Sequence, residues 1–107
     1  MSMTKDVRGD WAVHQGNGYT VHMEVLDEVS DGSFSGKTSV DGQAGVRDLL
    51  DGQVTDDEIS FKVPAGSVTG IYTGRFDFQG RLSGNAFQIE NPTIQTTWFS
   101  DRLFGPM

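Results

Sequence analysis

Five large aromatic side chains and one arginine are the residues best suited to hold a small ligand. They are Trp11, Phe61, Tyr72, Phe76, Trp98 and Arg102. Aromatic rings supply apolar contact area, and a tyrosine hydroxyl or a guanidinium can bind the polar end of a ligand. We therefore expect these six residues to form a binding site for a small apolar or amphipathic ligand, with Tyr72, Trp98 and Arg102 at its open end.

The same rings also suit a solid core, because a narrow barrel has little free space once large side chains are inside it. The protein would then be a structural or oligomerisation module. Arg102 would be stacked on Trp11 and bonded to carbonyls at a strand end, since an unpaired buried charge is costly. A cavity-based enzyme is a third hypothesis, and it requires a polar cavity residue with a shifted pKa. The sequence singles out no catalytic residue.

Two histidines and an acidic segment are the remaining candidates for chemistry. His14 and His22 lie on one outward face of the first expected hairpin, with Glu24 following on that face, which is the ligand set of a two-histidine, one-carboxylate metal site. Solvated surface histidines are the simpler interpretation. The acidic residues between Asp48 and Glu58 lack the spacing of a calcium loop, and the chain has no cysteine. We expect no metal ion and no other cofactor.

The charge of the chain limits its partners. There are 15 acidic and 8 basic residues, for a formal net charge of −7. Such a chain repels phosphate backbones and anionic membrane surfaces, so neither nucleic acid nor a membrane is an expected partner. No apolar run approaches the roughly 20 residues of a membrane span, and the first residues lack the apolar core of a signal peptide. We expect a soluble, cytoplasmic protein.

The spacing of apolar residues predicts the fold. Apolar and polar residues alternate with a period of two, and turn residues interrupt the pattern at regular intervals, as in an all-β protein. The 107 residues suit one domain, which we place at 9–107 with an N-terminal extension at 1–8. Eight strands with short connections between neighbours predict an antiparallel up-and-down barrel, and a two-sheet sandwich is the alternative.

The turns also predict which residues face each other across the strands. Three-residue loops that end in glycine lie at 16–18 and 78–80, and two-residue turns lie at 31–32 and 56–57. The expected cross-strand pairs are Trp11 with Met23, Val29 with Phe34, Val54 with Ile59, Leu50 with Val63, Tyr72 with Ala86, and Phe76 with Leu82.

The two ends of the chain resemble a known group of barrels. Gly9-Asp10-Trp11 is similar to the Gly-x-Trp that begins the first strand of calycins, which include lipocalins and avidins. The segment from Thr97 to Arg102 resembles their closing strand, in which a basic residue packs across the first tryptophan. The middle of the chain resembles small bacterial meander modules of unassigned function. The resemblance implies a closed barrel with Arg102 over Trp11, and no particular activity.

Several apolar residues are expected on the outer wall. Leu49 and Leu50 are adjacent on one strand, so one of them must face outward. By the same alternation we expect Phe99 or Leu103 on the last strand to face outward as well. An exposed apolar stripe on a barrel wall is typical of an oligomer contact. A homodimer is therefore an expectation.

Overall fold

The computed structural model describes residues 4–106, which form strands and connecting loops. Within that range there is no helix, and hence none long and apolar enough to cross a membrane. The strands are β1 (Gly9–Gln15), β2 (Thr20–Glu28), β3 (Ser33–Val40), β4 (Arg47–Asp48), β5 (Leu50–Val54), β6 (Glu58–Ala65), β7 (Val68–Phe76), β8 (Arg81–Gln88) and β9 (Gln95–Leu103).

The strands form one closed antiparallel barrel. Strands adjacent in sequence pair with each other, except β4 and β5, and β9 returns to pair with β1. Strands β4 and β5 both pair with β3 and are separated by Leu49, so together they occupy one of eight positions around the wall. The predicted eight-stranded up-and-down barrel is confirmed. Closure leaves no long sheet edge open to pairing with another chain among the strands of residues 4–106.

Most of the expected cross-strand pairs are present, and two are wrong. The confirmed pairs are Trp11 with Met23, Val54 with Ile59, Tyr72 with Ala86, and Phe76 with Leu82. Val29 does not face Phe34, because the loop at 30–32 has three residues rather than two: the Val29 amide donates to the Ser33 carbonyl at 2.9 Å. Glu28 takes the position opposite Phe34.

The second wrong pair results from a bulge in β5. Asp51 has a φ of 53°, in the left-handed region that non-glycine residues seldom adopt. The register shifts between Leu50 and Gln53, so Leu50 pairs with Lys62 and not with Val63. Apolar alternation alone does not predict this bulge, which reverses the inward and outward faces of the strand. Leu49 and Val54, five residues apart, are therefore both buried while Leu50 is exposed.

The barrel has two unlike ends. We call the end with loops 16–19, 41–46, 66–67 and 89–94 the open end, and the end with loops 29–32, 55–57 and 77–80 the closed end. The two terminal segments lie across the closed end: the Asp6 amide donates to the Gly105 carbonyl at 2.8 Å, and the Trp11 indole N–H donates to the Val7 carbonyl at 2.9 Å. Val7 is fully buried in the core, so part of the segment expected to be an extension packs as the floor of the barrel.

Candidate functional site

A stack of aromatic rings fills the middle of the barrel. Phe61 and Tyr72 are parallel, with ring centroids 5.1 Å apart, and Trp98 meets Tyr72 edge-on at 6.1 Å. Nearer the closed end, Trp11 contacts Phe104 at 5.0 Å. These rings leave the lower part of the barrel packed, as the filled-core hypothesis requires for that region.

A glycine makes room for the largest of these rings. A β-carbon at Gly74 would lie 2.7 Å from Cζ2 of Trp98 and 2.9 Å from the Ser83 carbonyl oxygen. The indole N–H donates to the Asn85 carbonyl at 3.1 Å. Trp98 is therefore fixed in place by packing on one side and by a hydrogen bond on the other.

Above this stack the barrel is not filled. A cavity of about 190 Å³ opens at the open end, with Tyr72 among its lining residues. Its apolar lining includes Val21, Val63 and Ala86, whose side chains are buried. Its polar lining consists mainly of side-chain amides, from Gln15, Asn17, Gln43, Gln88 and Gln95. The cavity is thus apolar at its base and ringed by amides at its mouth.

A chain of hydrogen bonds connects the base of the cavity to its mouth. The Tyr72 hydroxyl donates to Oε1 of Gln15, and Nε2 of Gln15 donates to Oδ1 of Asn17 at 3.1 Å. The Tyr19 amide donates to the same Oδ1 at 3.3 Å. These bonds orient both amides. Burial raises the pKa of Tyr72 to about 12, so this phenol is a neutral hydrogen-bonding group at physiological pH.

The six residues selected from the sequence divide between the two ends. Tyr72 alone among them lines the cavity defined by the described residues, while Phe61 and Trp98 support it from below. Arg102 lies near the closed end, where Nη1 donates to the Arg8 carbonyl at 2.8 Å. It is six residues along β9 from the cavity-lining Thr96, a rise of roughly 20 Å along a strand.

Arg102 and Tyr72 therefore do not share one mouth, contrary to the expectation from the sequence. The Arg102 guanidinium stacks 5.0 Å above Phe104, which in turn packs on Trp11. Phe76 contacts Phe104 at the same end, with ring centroids 5.9 Å apart. Alternation along the strands places Tyr72 and Arg102 on the inner face of the barrel, but it does not show how far along the barrel axis each one lies. The contacts of Arg102 and Phe76 are those of a structural cluster around the floor.

Sequence reasoning missed the amides at the mouth. Gln15 and Gln88 end β1 and β8, Gln95 begins β9, and Gln43 lies in the loop after β3. In an up-and-down barrel these four chain positions all fall at one end. The predicted strand order was therefore enough to place these glutamines together. They were missed because a single glutamine is not a typical catalytic or metal-binding residue.

The histidines belong to a separate depression on the outer wall of β1–β3. His14 lies 3.9 Å from an Asp101 carboxylate oxygen, and His22 lies 2.6 Å from one of Asp41. The two rings thus face different carboxylates. No group of three potential metal-ligating side chains occurs among residues 4–106.

Comparison with known proteins gives no further information about the site. The chain matches no family model, no curated protein sequence and no solved structure.

Proposed function

We propose that the protein is a calycin-like, non-enzymatic barrel that binds a small apolar or amphipathic ligand in the open-end cavity. The observation that supports this proposal is the unfilled space of about 190 Å³ above a tightly packed aromatic stack. Barrel mouths that combine apolar walls with a few polar groups are favoured ligand sites. The hydrogen-bonded Tyr72 and Gln15 side chains give such a cavity a defined shape before any ligand enters.

The volume limits the ligand. An apolar cavity of about 150 Å³ holds benzene, whereas pockets for drug-sized molecules range from about 300 to 1,000 Å³. The open-end cavity therefore suits a molecule of roughly seven or eight non-hydrogen atoms, or the end of a longer one. Within the proposal Tyr72 and Gln15 contact the ligand, and Phe61 and Trp98 form the support beneath it.

A cavity-filling variant tests the proposal. Ala86 is 5% exposed and lines the cavity, so Ala86→Leu should occupy part of the space that a ligand needs. Ala44 is exposed in the loop after β3, and Ala44→Leu makes the same chemical change outside the lining. Small neutral molecules would be titrated into ¹⁵N-labelled protein, and amide shifts would be followed at both ends of the barrel.

We expect the ligand to cause saturable changes in the amide chemical shifts of cavity residues such as Thr96. These changes should be absent in Ala86→Leu and present in Ala44→Leu. Shifts confined to the closed end, or equal affinity in both variants, would refute the proposed site. The amide spectrum of each free variant shows whether it is folded.

Exposed apolar side chains support a second candidate, a barrel that acts as an oligomer subunit. Phe99 and Leu103 on the outer face of β9 are 46% and 49% exposed, as the alternation predicted, and Leu50 is exposed while Leu49 is buried. Sedimentation velocity at several concentrations tests this candidate. A dimer that dissociates in Phe99→Ser would support it, and a monomer at every concentration would rule it out.

A further inference from the structure

We infer that the end of the ligand held in the cavity is uncharged and carries both a hydrogen-bond donor and an acceptor, as an amide or a hydroxyl group does. This inference rests on the proposed binding function and specifies the chemistry that the site selects. Three features of the cavity support it: its lack of charge, its set of amides, and the orientation of two of its polar groups.

The first feature is the absence of charge. Charged residues make up 21% of the chain, yet among the described residues none that lines the cavity is Asp, Glu, Lys, Arg or His. An ion that enters such a cavity loses its hydration and gains no counter-ion, which is strongly unfavourable. The net charge of −7 would attract cations from a distance, but it places no carboxylate inside the cavity to hold one.

The second feature is the concentration of amides. Gln15, Gln43, Gln88 and Gln95 are four of the six glutamines in the chain, and all four line the cavity. A side-chain amide has two donor hydrogens and an acceptor oxygen on one planar group. A ring of amides can therefore satisfy a ligand that both donates and accepts, whereas a carboxylate accepts only and an ammonium group donates only.

The third feature is the fixed orientation of Tyr72 and Gln15. The phenol hydrogen is directed to Oε1 of Gln15, and one amide hydrogen of Gln15 is directed to Asn17. The phenol oxygen retains acceptor capacity, and the Gln15 amide has a second N–H to donate. A neutral donor–acceptor group can bind to both at once.

Four-carbon compounds that differ in their polar group test this inference. Butyramide, butyrate and butylammonium have similar size, and at pH 7 they are neutral, anionic and cationic. Chemical-shift titration of cavity amides gives the three dissociation constants. We expect butyramide to bind at least tenfold more tightly than either ion. An ion that binds within threefold of butyramide would overturn the inference while leaving the binding function intact, and failure of all three to shift the cavity amides would overturn the binding function.

A charge substitution supplies an independent measurement. Gln15→Glu keeps the oxygen that accepts from Tyr72 and introduces one negative charge, so butyramide should lose at least tenfold in affinity and butylammonium should gain. Gln79→Glu makes the same change at an exposed position in the 77–80 loop at the other end and should leave both affinities within twofold of wild type. Unchanged affinities in Gln15→Glu would overturn the assignment of Gln15 to the site.

Discussion

Gly74→Ala should destabilise the barrel by disturbing the ring that supports the cavity. The new β-carbon would lie 2.7 Å from Cζ2 of Trp98 and 2.9 Å from the Ser83 carbonyl oxygen. The backbone oxygen belongs to the paired strand β8 and cannot easily move. The indole is held by its bond to the Asn85 carbonyl and by Tyr72, so it also has little freedom to retreat.

The expected size of the effect follows from two opposing terms. Overpacking a core costs about 1–3 kcal/mol, and replacing glycine by alanine within a strand regains roughly 0.5–1 kcal/mol. Both contacts of the new β-carbon fall below 3.0 Å, so the overpacking cost lies in the upper part of its range, at about 2–3 kcal/mol. The net loss is then about 1–2.5 kcal/mol. For a domain of about 100 residues this lowers Tm by roughly 4–20 °C, at about 4–8 °C per kcal/mol.

Urea denaturation and thermal melts of Gly74→Ala measure this loss, and near-ultraviolet circular dichroism reports displacement of the indole. Gly105→Ala is the matched control, because a β-carbon at Gly105 has no atom within 4 Å, and its stability should change by no more than about 0.5 kcal/mol. If Gly74→Ala is as stable as that control, Trp98 does not pack against Gly74, and the account of the cavity floor is wrong.

Three further substitutions test other parts of the structure. Ser100→Ala should lower the free energy of unfolding, measured by urea denaturation, by about 1–3 kcal/mol, because the Ser100 hydroxyl accepts a hydrogen bond from the buried Leu82 amide at 3.0 Å. Ser83 is exposed, so Ser83→Ala should leave that free energy nearly unchanged. Val7→Ala should lower the free energy of unfolding by about 2 kcal/mol, since it removes two carbons from a fully buried side chain. An unchanged free energy of unfolding would mean that the N-terminal segment lies outside the core. Burial raises the pKa of Glu28 above its usual 4.5, so its ionisation above that pH opposes folding. Glu28→Gln should therefore have a larger free energy of unfolding than wild type at pH 7, and the two values should converge below about pH 4.5. A stability difference that does not change with pH would contradict a raised pKa for Glu28.

The fold was predictable because one face of nearly every strand is buried. Apolar alternation sets the register wherever a side chain such as Val13 or Met23 must enter the core, and glycine-ended loops set the turns. Both errors occur where a strand or a turn contains one more residue than expected, because the extra residue shifts the register. Asp51 in its left-handed conformation is one example, and the loop before Ser33 is another.

The site was less predictable, because the sequence shows which side of a strand faces the barrel interior but not where along the barrel axis a side chain lies. Trp98 and Arg102 are both inward-facing in the alternation of β9, but only the assembled barrel shows that Arg102 lies near its closed end. The mouth is built from Gln15, Gln88 and Gln95, which are distant in sequence and ordinary in type. Their common location depends on closure of the sheet, which a local pattern cannot show.

The position of a bound ligand tests the central claim most directly. Intermolecular nuclear Overhauser effects between the butyramide methyl group and the protein would locate the ligand within the barrel. The account predicts contacts with the methyl groups of Val63 and Ala86, which line the open-end cavity. Contacts with Val7 at the closed end, or with Leu103 on the outer wall, would contradict it.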